Sequence, residues 1–257
     1  MKKLSVTLVV ALLFILPLYG QDNLNNVHLF QSYFYDAPIT QSIYGEGGLS
    51  FATYDNFNNL GIGVQGGYPL NEKVELGTEL RFINWSPDKG DGQSGISDLG
   101  VYGRYNVYNK DQTNISAGGM ITLPIGSEDV GQGNLNFGPF GAVRHTLNEQ
   151  MAIVGTIGLF FFEKTEYEVN QTTFQLEEKT SYDSYLNIGI GTIYQVNPQL
   201  NLVGELSLQS EGDYMLLSAA ADYVLGNGRL RGGIGLGLDD GAPDFKLMGA
   251  YSIAFTK

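Results

Sequence analysis

The sequence has no cysteine among its 257 residues, one tryptophan and two histidines. Without cysteine there is no disulfide framework, no thiolate metal site and no lipid-bearing cysteine behind a leader. Basic side chains are few, 14 Lys and Arg against 27 Asp and Glu, for a net charge of −13. Nucleic-acid binding needs a basic footprint, so nucleic acid is set aside as a partner. Beyond residue 20 no apolar run reaches the length of a spanning helix; the longest, Ile153 to Phe162, is broken by glycine and threonine. Such a helix needs about 20 apolar residues, so any membrane insertion must be as a barrel.

What is plentiful points the same way. There are 35 glycines, 16 tyrosines and 14 phenylalanines, a β-rich and glycine-tolerant composition. Hydrophobic residues make up only 43% of the chain. A barrel accounts for that, because only every second residue of a strand must meet lipid.

The N-terminus has a leader of recognisable form. Met1-Lys2-Lys3 precedes an apolar run from Leu4 to Leu18 and then Tyr19-Gly20-Gln21. A basic head, a run too short to span a bilayer and a small residue at a polar junction describe a secretory signal peptide. Residues 1–20 are therefore expected to be removed, leaving 12 basic against 27 acidic side chains, a net charge near −15.

The stretch Gly61-Ile-Gly-Val-Gln-Gly66 matches the glycine pattern of a dinucleotide-binding loop. That pattern carries weight only where it closes a strand and opens a helix. Here Tyr68-Pro69-Leu70 and Asn71-Glu72-Lys73 follow, then Val74 to Phe82 alternating with period two. This is strand, turn, strand, with no helix N-terminus for a phosphate. No cofactor is expected.

Period-two alternation recurs in twelve segments, near 43–54, 59–69, 74–85, 97–108, 113–124, 134–146, 151–163, 181–195, 200–210, 214–225, 229–239 and 244–255. In the last, Phe245, Leu247, Gly249, Tyr251, Ile253 and Phe255 share one face, with Lys246, Met248, Ala250, Ser252 and Ala254 opposite. A soluble sandwich also alternates, but these segments have about twice the usual strand length and suit a tilted membrane crossing. Connections alternate short (70–73, 109–112, 147–150, 197–199, 226–228) and long (86–96, 125–133, 164–180), as periplasmic turns and external loops do. Aromatics gather at segment ends: Trp85, Phe161, Phe162, Tyr182 and Tyr214 toward the loops, Tyr68, Tyr194, Tyr223 and Phe255 toward the turns. Two girdles fit two membrane interfaces. The expected fold is all-β: a transmembrane antiparallel up-and-down β-barrel of about 12 strands over residues 43–257, in the outer membrane of a Gram-negative cell. Outer-membrane lipid and the barrel-assembly machinery are its expected partners.

Residues 21–42 precede the first strand and include "NVHLFQSYFYDAPIT". They either pack into the lumen as a plug or cross the periplasmic mouth. The inward face of the strands is expected to hold Glu75, Glu79, Arg81, Asp98, Arg104, Arg144, Asp183, Glu205, Asp222, Arg231 and Lys246. Charges in a narrow lumen are costly unless paired or wet. Two readings stand: a salt-bridged interior that holds the barrel's shape, and a polar conduit whose charged constriction selects small solutes.

Catalytic and metal chemistry find little support. A Ser–His pair of the outer-membrane lipid-hydrolase kind needs a serine beside the histidine. His28 lies in the N-terminal extension, and His145, near a turn, has no obvious serine neighbour in sequence. Neither has metal-ligand spacing. Acids at 88, 91, 128, 129, 239, 240 and 244 read as solvated loop charge rather than a Ca²⁺ site. No metal site and no enzyme is expected.

The stretches "ISDLGVYGRYNVY" and "NISAGGMITLPIGSEDVGQGNLNFGPFGAVRHTLNEQMAI" resemble an outer-membrane barrel family, the transporters named for the meta-pathway of phenol degradation. The resemblance rests on a strand ending in Leu123-Pro124-Ile125-Gly126, a glycine-rich loop and a long strand over a polar turn; "GAPDFKLMGAYSIAF" looks like that family's last hairpin. It covers roughly residues 43–257 and implies passage of small, aromatic or apolar molecules, with no catalytic residues to carry over. One departure is that Phe255 is followed by Thr256-Lys257, whereas such barrels usually end on an aromatic residue read by the assembly machinery. The N-terminal "HLFQSYFYDAPI" resembles barrels that accompany a bacterial secretion system, which implies a non-conducting structural or accessory role as the alternative.

Overall fold

The structure, a computed structural model, describes residues 24–169, 176–226 and 228–255. The expected signal peptide, residues 1–20, and the final Thr256-Lys257 lie outside the described residues. Among the described residues, everything regular after the 3₁₀ turn Leu24–Asn26 is β. The strands are β1 (Ile43–Tyr54), β2 (Phe57–Asn71), β3 (Val74–Pro87), β4 (Gln93–Ile96), β5 (Leu99–Lys110), β6 (Thr113–Leu123) and β7 (Asn136–Asn148). They continue with β8 (Met151–Val169), β9 (Leu176–Asn197), β10 (Leu200–Gln209), β11 (Tyr214–Leu225), β12 (Gly228–Gly237) and β13 (Phe245–Phe255).

Each strand pairs antiparallel with its sequence neighbour, and β1 closes the sheet on β13 from Ile43↔Phe255 to Thr53↔Phe245. β4 and β5 share one position in the wall: β3 pairs with β4 over Phe82–Trp85 and with β5 over Val74–Glu79. The barrel is therefore twelve strands around, as expected from the sequence. Closure leaves no edge with unpaired backbone groups to face lipid.

The short turns expected from the sequence lie at the end that carries both barrel termini, closed by local chemistry, and the two-residue β1–β2 connection is short at the opposite end. Asn71, Asn148 and Asn197 each accept backbone N–H bonds two or three residues on, at 2.8–3.0 Å. Such Asx turns stand in for a backbone turn. Asp111 and Gln112 both take positive φ, 49° and 68°, the backbone of a two-residue type I′ hairpin.

Two loops differ from the sequence expectation. Residues 93–96, expected in a loop, form β4. Most of 164–180 continues the β8–β9 ladder, paired from Glu163↔Tyr182 to Val169↔Leu176. Strand parity also reassigns three aromatics of the outer girdle. Trp85, Phe162 and Tyr214 share the inward faces of β3, β8 and β11. On the outside Phe137 stacks on Phe161 (5.2 Å between ring centroids) and meets Tyr182 (5.6 Å).

The outward side chains form an apolar belt that includes Leu49, Ile62, Val64, Leu202, Ile234 and Leu247, all exposed on the barrel's exterior. The buried core sits inside the barrel, and residues 24–40 supply much of it. One cluster joins Leu24, Val27 and Leu29 to Ala152, Val154, Ile193, Val203 and Ala220 of the wall. A second joins Tyr33 and Phe34 to Tyr44, Tyr102 and Met120. Inward glycines let the wall approach this segment. A Cβ on Gly77 would lie 2.5 Å from the Phe34 ring, and one on Gly191 would lie 2.9 Å from Leu29.

Candidate functional site: the charged lumen

An irregular backbone inside a barrel presents N–H and C=O groups with no ladder to join, and each must find a partner. The inward charges of the wall supply them. Arg144 on β7 is fully buried and donates to the carbonyls of Leu24 (2.6 Å) and Val27 (2.8 Å) and to both carboxylate oxygens of Asp36. Arg104 on β5 donates to the Asp36 carbonyl (3.0 Å) and to Glu75 (2.6 Å). Asn106 and Ser116 both donate to the Ala37 carbonyl.

Carboxylates take the N–H groups. Glu205 on β10 accepts from Phe30 (2.6 Å), Gln31 (2.9 Å) and Ser32 (3.1 Å). Glu75 on β3 accepts from the backbone and hydroxyl of Thr40 (2.9 and 2.6 Å) and from the Tyr44 hydroxyl (2.8 Å). Burying a lone carboxylate is expensive, but one that accepts three N–H bonds is stabilised by charge-assisted hydrogen bonds.

Arg231 on β12 holds the middle of the segment. It pairs with Glu46 (2.6 Å) and Asp222 (3.2 Å) and donates to the carbonyls of His28 (2.7 Å) and Leu29 (3.1 Å). Its guanidinium also lies over the rings of Phe30 (4.2 Å) and Tyr33 (5.2 Å). A planar five-donor fork can serve carboxylates, carbonyls and ring faces together, which a lysine ammonium cannot. Arg229 backs this knot by pairing with Asp222 (2.7 Å).

Of the eleven inward residues expected from sequence, Glu75, Arg104, Arg144, Glu205, Arg231 and Lys246 touch the N-terminal segment, and Asp222 does so through Arg231. Lys246 donates to the Gln31 side chain (2.9 Å). Glu79 and Arg81 pair with each other (2.8 Å) higher on β3, with Tyr102 donating to Glu79. Asp98 is placed apart from these. Buried where β4 breaks from β5, it accepts the backbone N–H of Gly126 (2.9 Å) and Gln132 (2.7 Å) and ties down the 124–135 loop. Asp183 is half-buried and accepts from the N–H of Ser184. Asp36, Glu46, Ser116 and Arg229 also take part and were not singled out by the sequence reading. Glu46, Ser116 and Arg229 stand on the inward parity of β1, β6 and β12, so alternation alone could have found them.

The histidines have aromatic and hydroxyl neighbours. His28 stacks on Tyr33 (4.5 Å) and leans on Tyr44 (4.8 Å), while the His145 ring meets the Thr113 hydroxyl at 2.8 Å.

Two of the lumen's cavities flank the Arg231 knot, one on the Phe30 side and one on the Tyr33 side. The lower, about 400 Å³, opens between Asn26, His28, Tyr33, Tyr44 and Arg229 at the short-turn end. The upper, about 220 Å³, lies between Phe30 and Gln31 of the segment and the walls of β1, β2 and β13. Phe30 above and Tyr33 below are the two rings that the Arg231 guanidinium touches.

Because Phe34 fills the space above Gly77, Gly77→Val is expected to loosen the segment by about 1–3 kcal/mol, an overpacking cost. Faster chymotryptic cleavage at Phe34 in the folded barrel would register it; unchanged protection would show that the ring can move aside.

Comparison with solved structures places this architecture. The chain superposes on the COG4313 outer membrane channel from Pseudomonas putida F1 with a TM-score of 0.64, at 16% identity, over 86% of this chain and 98% of that one. The fold is that of an outer-membrane barrel. The KdgM porin in complex with disordered oligogalacturonate aligns with a TM-score of 0.52 at 11% identity, over 82% of this chain and 99% of its own. The NanC porin aligns with a TM-score of 0.53 at 10% identity, over 84% and 100%. No protein-family model and no curated protein matches the sequence.

Proposed function

We propose that this barrel is an outer-membrane channel for small solutes, of the transporter family named for the meta-pathway of phenol degradation, and that residues 21–42 are its plug. Most of the eleven inward charges hold the plug, Arg81 and Lys246 line the space above it, Glu79 pairs with Arg81, and Asp98 and Asp183 do neither. The observation that carries the reading is a pair of cavities, the upper lined by Phe30 and Arg231 and the lower by Tyr33 and Arg229, with the Arg231 guanidinium lying over both rings. A barrel built only for structure has no need of open volume on both sides of a single ionic knot.

Three further facts support it. The solved barrels of the same fold are described as a channel and porins. The Leu123-Pro124-Ile125-Gly126 element ends β6 and turns the chain so that the Gly126 N–H meets Asp98. A Cβ on Gly126 would lie 2.7 Å from that carboxylate and 2.8 Å from the Ile96 carbonyl, so the element's glycine is sterically required. The bore limits passage to small molecules, since the upper cavity holds roughly seven water volumes.

Planar-bilayer recording of the refolded protein tests the reading. Small, brief conductances are expected, together with slow uptake of small solutes into proteoliposomes. No current and no uptake would favour a structural or secretion-accessory barrel, and co-purification with envelope partners would then identify that role.

A further inference from the structure

We infer that the upper cavity is a binding subsite for a small monocarboxylate, with Lys246 and Arg81 as the groups that recognise its charge. This rests on the channel reading for its biological purpose but not for its test.

The lining joins a cationic side to an apolar one. Arg81, Arg231 and Lys246 face it, with Glu46 the carboxylate among its lining residues. Glu46 is already spent on Arg231 at 2.6 Å and on the Gln65 amide at 2.7 Å. Arg231 in turn spends four of its five donors on Glu46, Asp222 and two backbone carbonyls. Arg81 pairs with Glu79 through one terminal nitrogen while its side chain stays 52% exposed, leaving donors free for a ligand. Lys246 has an amide oxygen of Gln31 as its hydrogen-bond partner and no carboxylate within ion-pair distance among the described residues. An ammonium has three donors, so two remain.

The other side is made of Phe30, Met248, Ala250 and the inward glycines Gly48, Gly61 and Gly63, which keep the wall thin. A short alkyl or similarly small apolar body fits this side while its carboxylate meets the cations. The protein as a whole is strongly acidic, and Asp239, Asp240 and Asp244 lie on the loop that leads into β13. A cationic pocket below such a rim runs against the mean charge.

The site can be tested on the full mature barrel in neutral detergent by titration calorimetry with butyrate, butylamine and butanol. Butyrate is expected to bind, butanol more weakly, and butylamine without measurable heat. Lys246→Gln should weaken butyrate by roughly ten-fold or more, the scale of one lost charge-assisted hydrogen bond. Lys246→Arg should restore most of the affinity. Heat-modifiable gel mobility confirms that each variant is folded. Equal binding of all three probes, no butyrate binding, or full butyrate affinity in folded Lys246→Gln would each overturn the subsite. Current without butyrate binding would leave the channel and remove the subsite. Binding without current would do the reverse.

Discussion

Deletion of residues 21–40 is expected to raise the single-channel conductance several-fold while leaving the barrel folded. The wall closes on itself through β1 and β13, and among the described residues no strand pairing uses 24–40. What leaves with them is the lumen filling: Leu24, Val27, Leu29, Tyr33, Phe34 and Ile39, all buried. The charges that held the segment would then be exposed to water, which lifts the desolvation penalty that makes unpaired buried ions costly. Arg104, Arg144, Arg229, Arg231 and Lys246 would face Glu46, Glu75, Glu205 and Asp222, five positive against four negative. The widened pore should therefore show little ion selectivity in a salt gradient. Heat-modifiable mobility and bilayer recording of the truncated protein measure both halves. A folded truncation with unchanged conductance would mean that the segment is not the obstruction.

The second large effect is expected at Arg144. Arg144→Ala would strip Asp36 of its guanidinium, leaving its carboxylate with the Ala37 N–H (2.7 Å), and would orphan the carbonyls of Leu24 and Val27. Removing one partner of a buried pair costs about 3–5 kcal/mol. Charged to docking of the segment, that is a hundred-fold or greater rise in its undocked population. Chymotrypsin should then cut between Phe30 and Tyr35 at a correspondingly higher rate, with the barrel resistant. The double variant Arg144→Met/Asp36→Leu should recover part of the protection, because a matched apolar pair leaves no buried charge. Wild-type protection in Arg144→Ala would show that the arginine is incidental to docking.

These two expectations concern residues whose partners are far away in sequence, and that separation marks the limit of what the chain reveals by itself. Arg144 meets residues 108 to 120 positions away, and Arg231 reaches His28 across 203. Most of those partners are backbone carbonyls and N–H groups, which every residue carries and no sequence pattern distinguishes. Asp36 gave no signal for the same reason, since it lies in irregular chain with no parity to assign it a face.

The barrel itself was legible because it rests on local rules. Lipid outside demands an apolar residue at every second position, and the pleat turns that demand into a visible period. Most strand positions followed, as did the short turns at the end that carries the barrel termini, while β8 and β9 run further than the alternation foresaw. The sequence also pointed "GIGVQG" away from a nucleotide, and the structure places it in β2. There Ile62 and Val64 face outward, and Gly61 and Gly63 line the upper cavity. Parity failed where the wall is irregular. Asp98 sits at the break between β4 and β5, so its inward parity leads to the 124–135 loop. Past the shift between Asn106 and Tyr108, Val107 and Tyr108 both face outward.

The sequence alone therefore determined the closed twelve-strand wall, its outward belt and an inward face that carries charge, because period two is a property of single strands. Only the tertiary structure decided what those inward charges meet. The partners are the main chain of residues 24–40, brought inside by closure of the sheet, and the need to satisfy that buried backbone selects an arginine or a carboxylate at each point of contact.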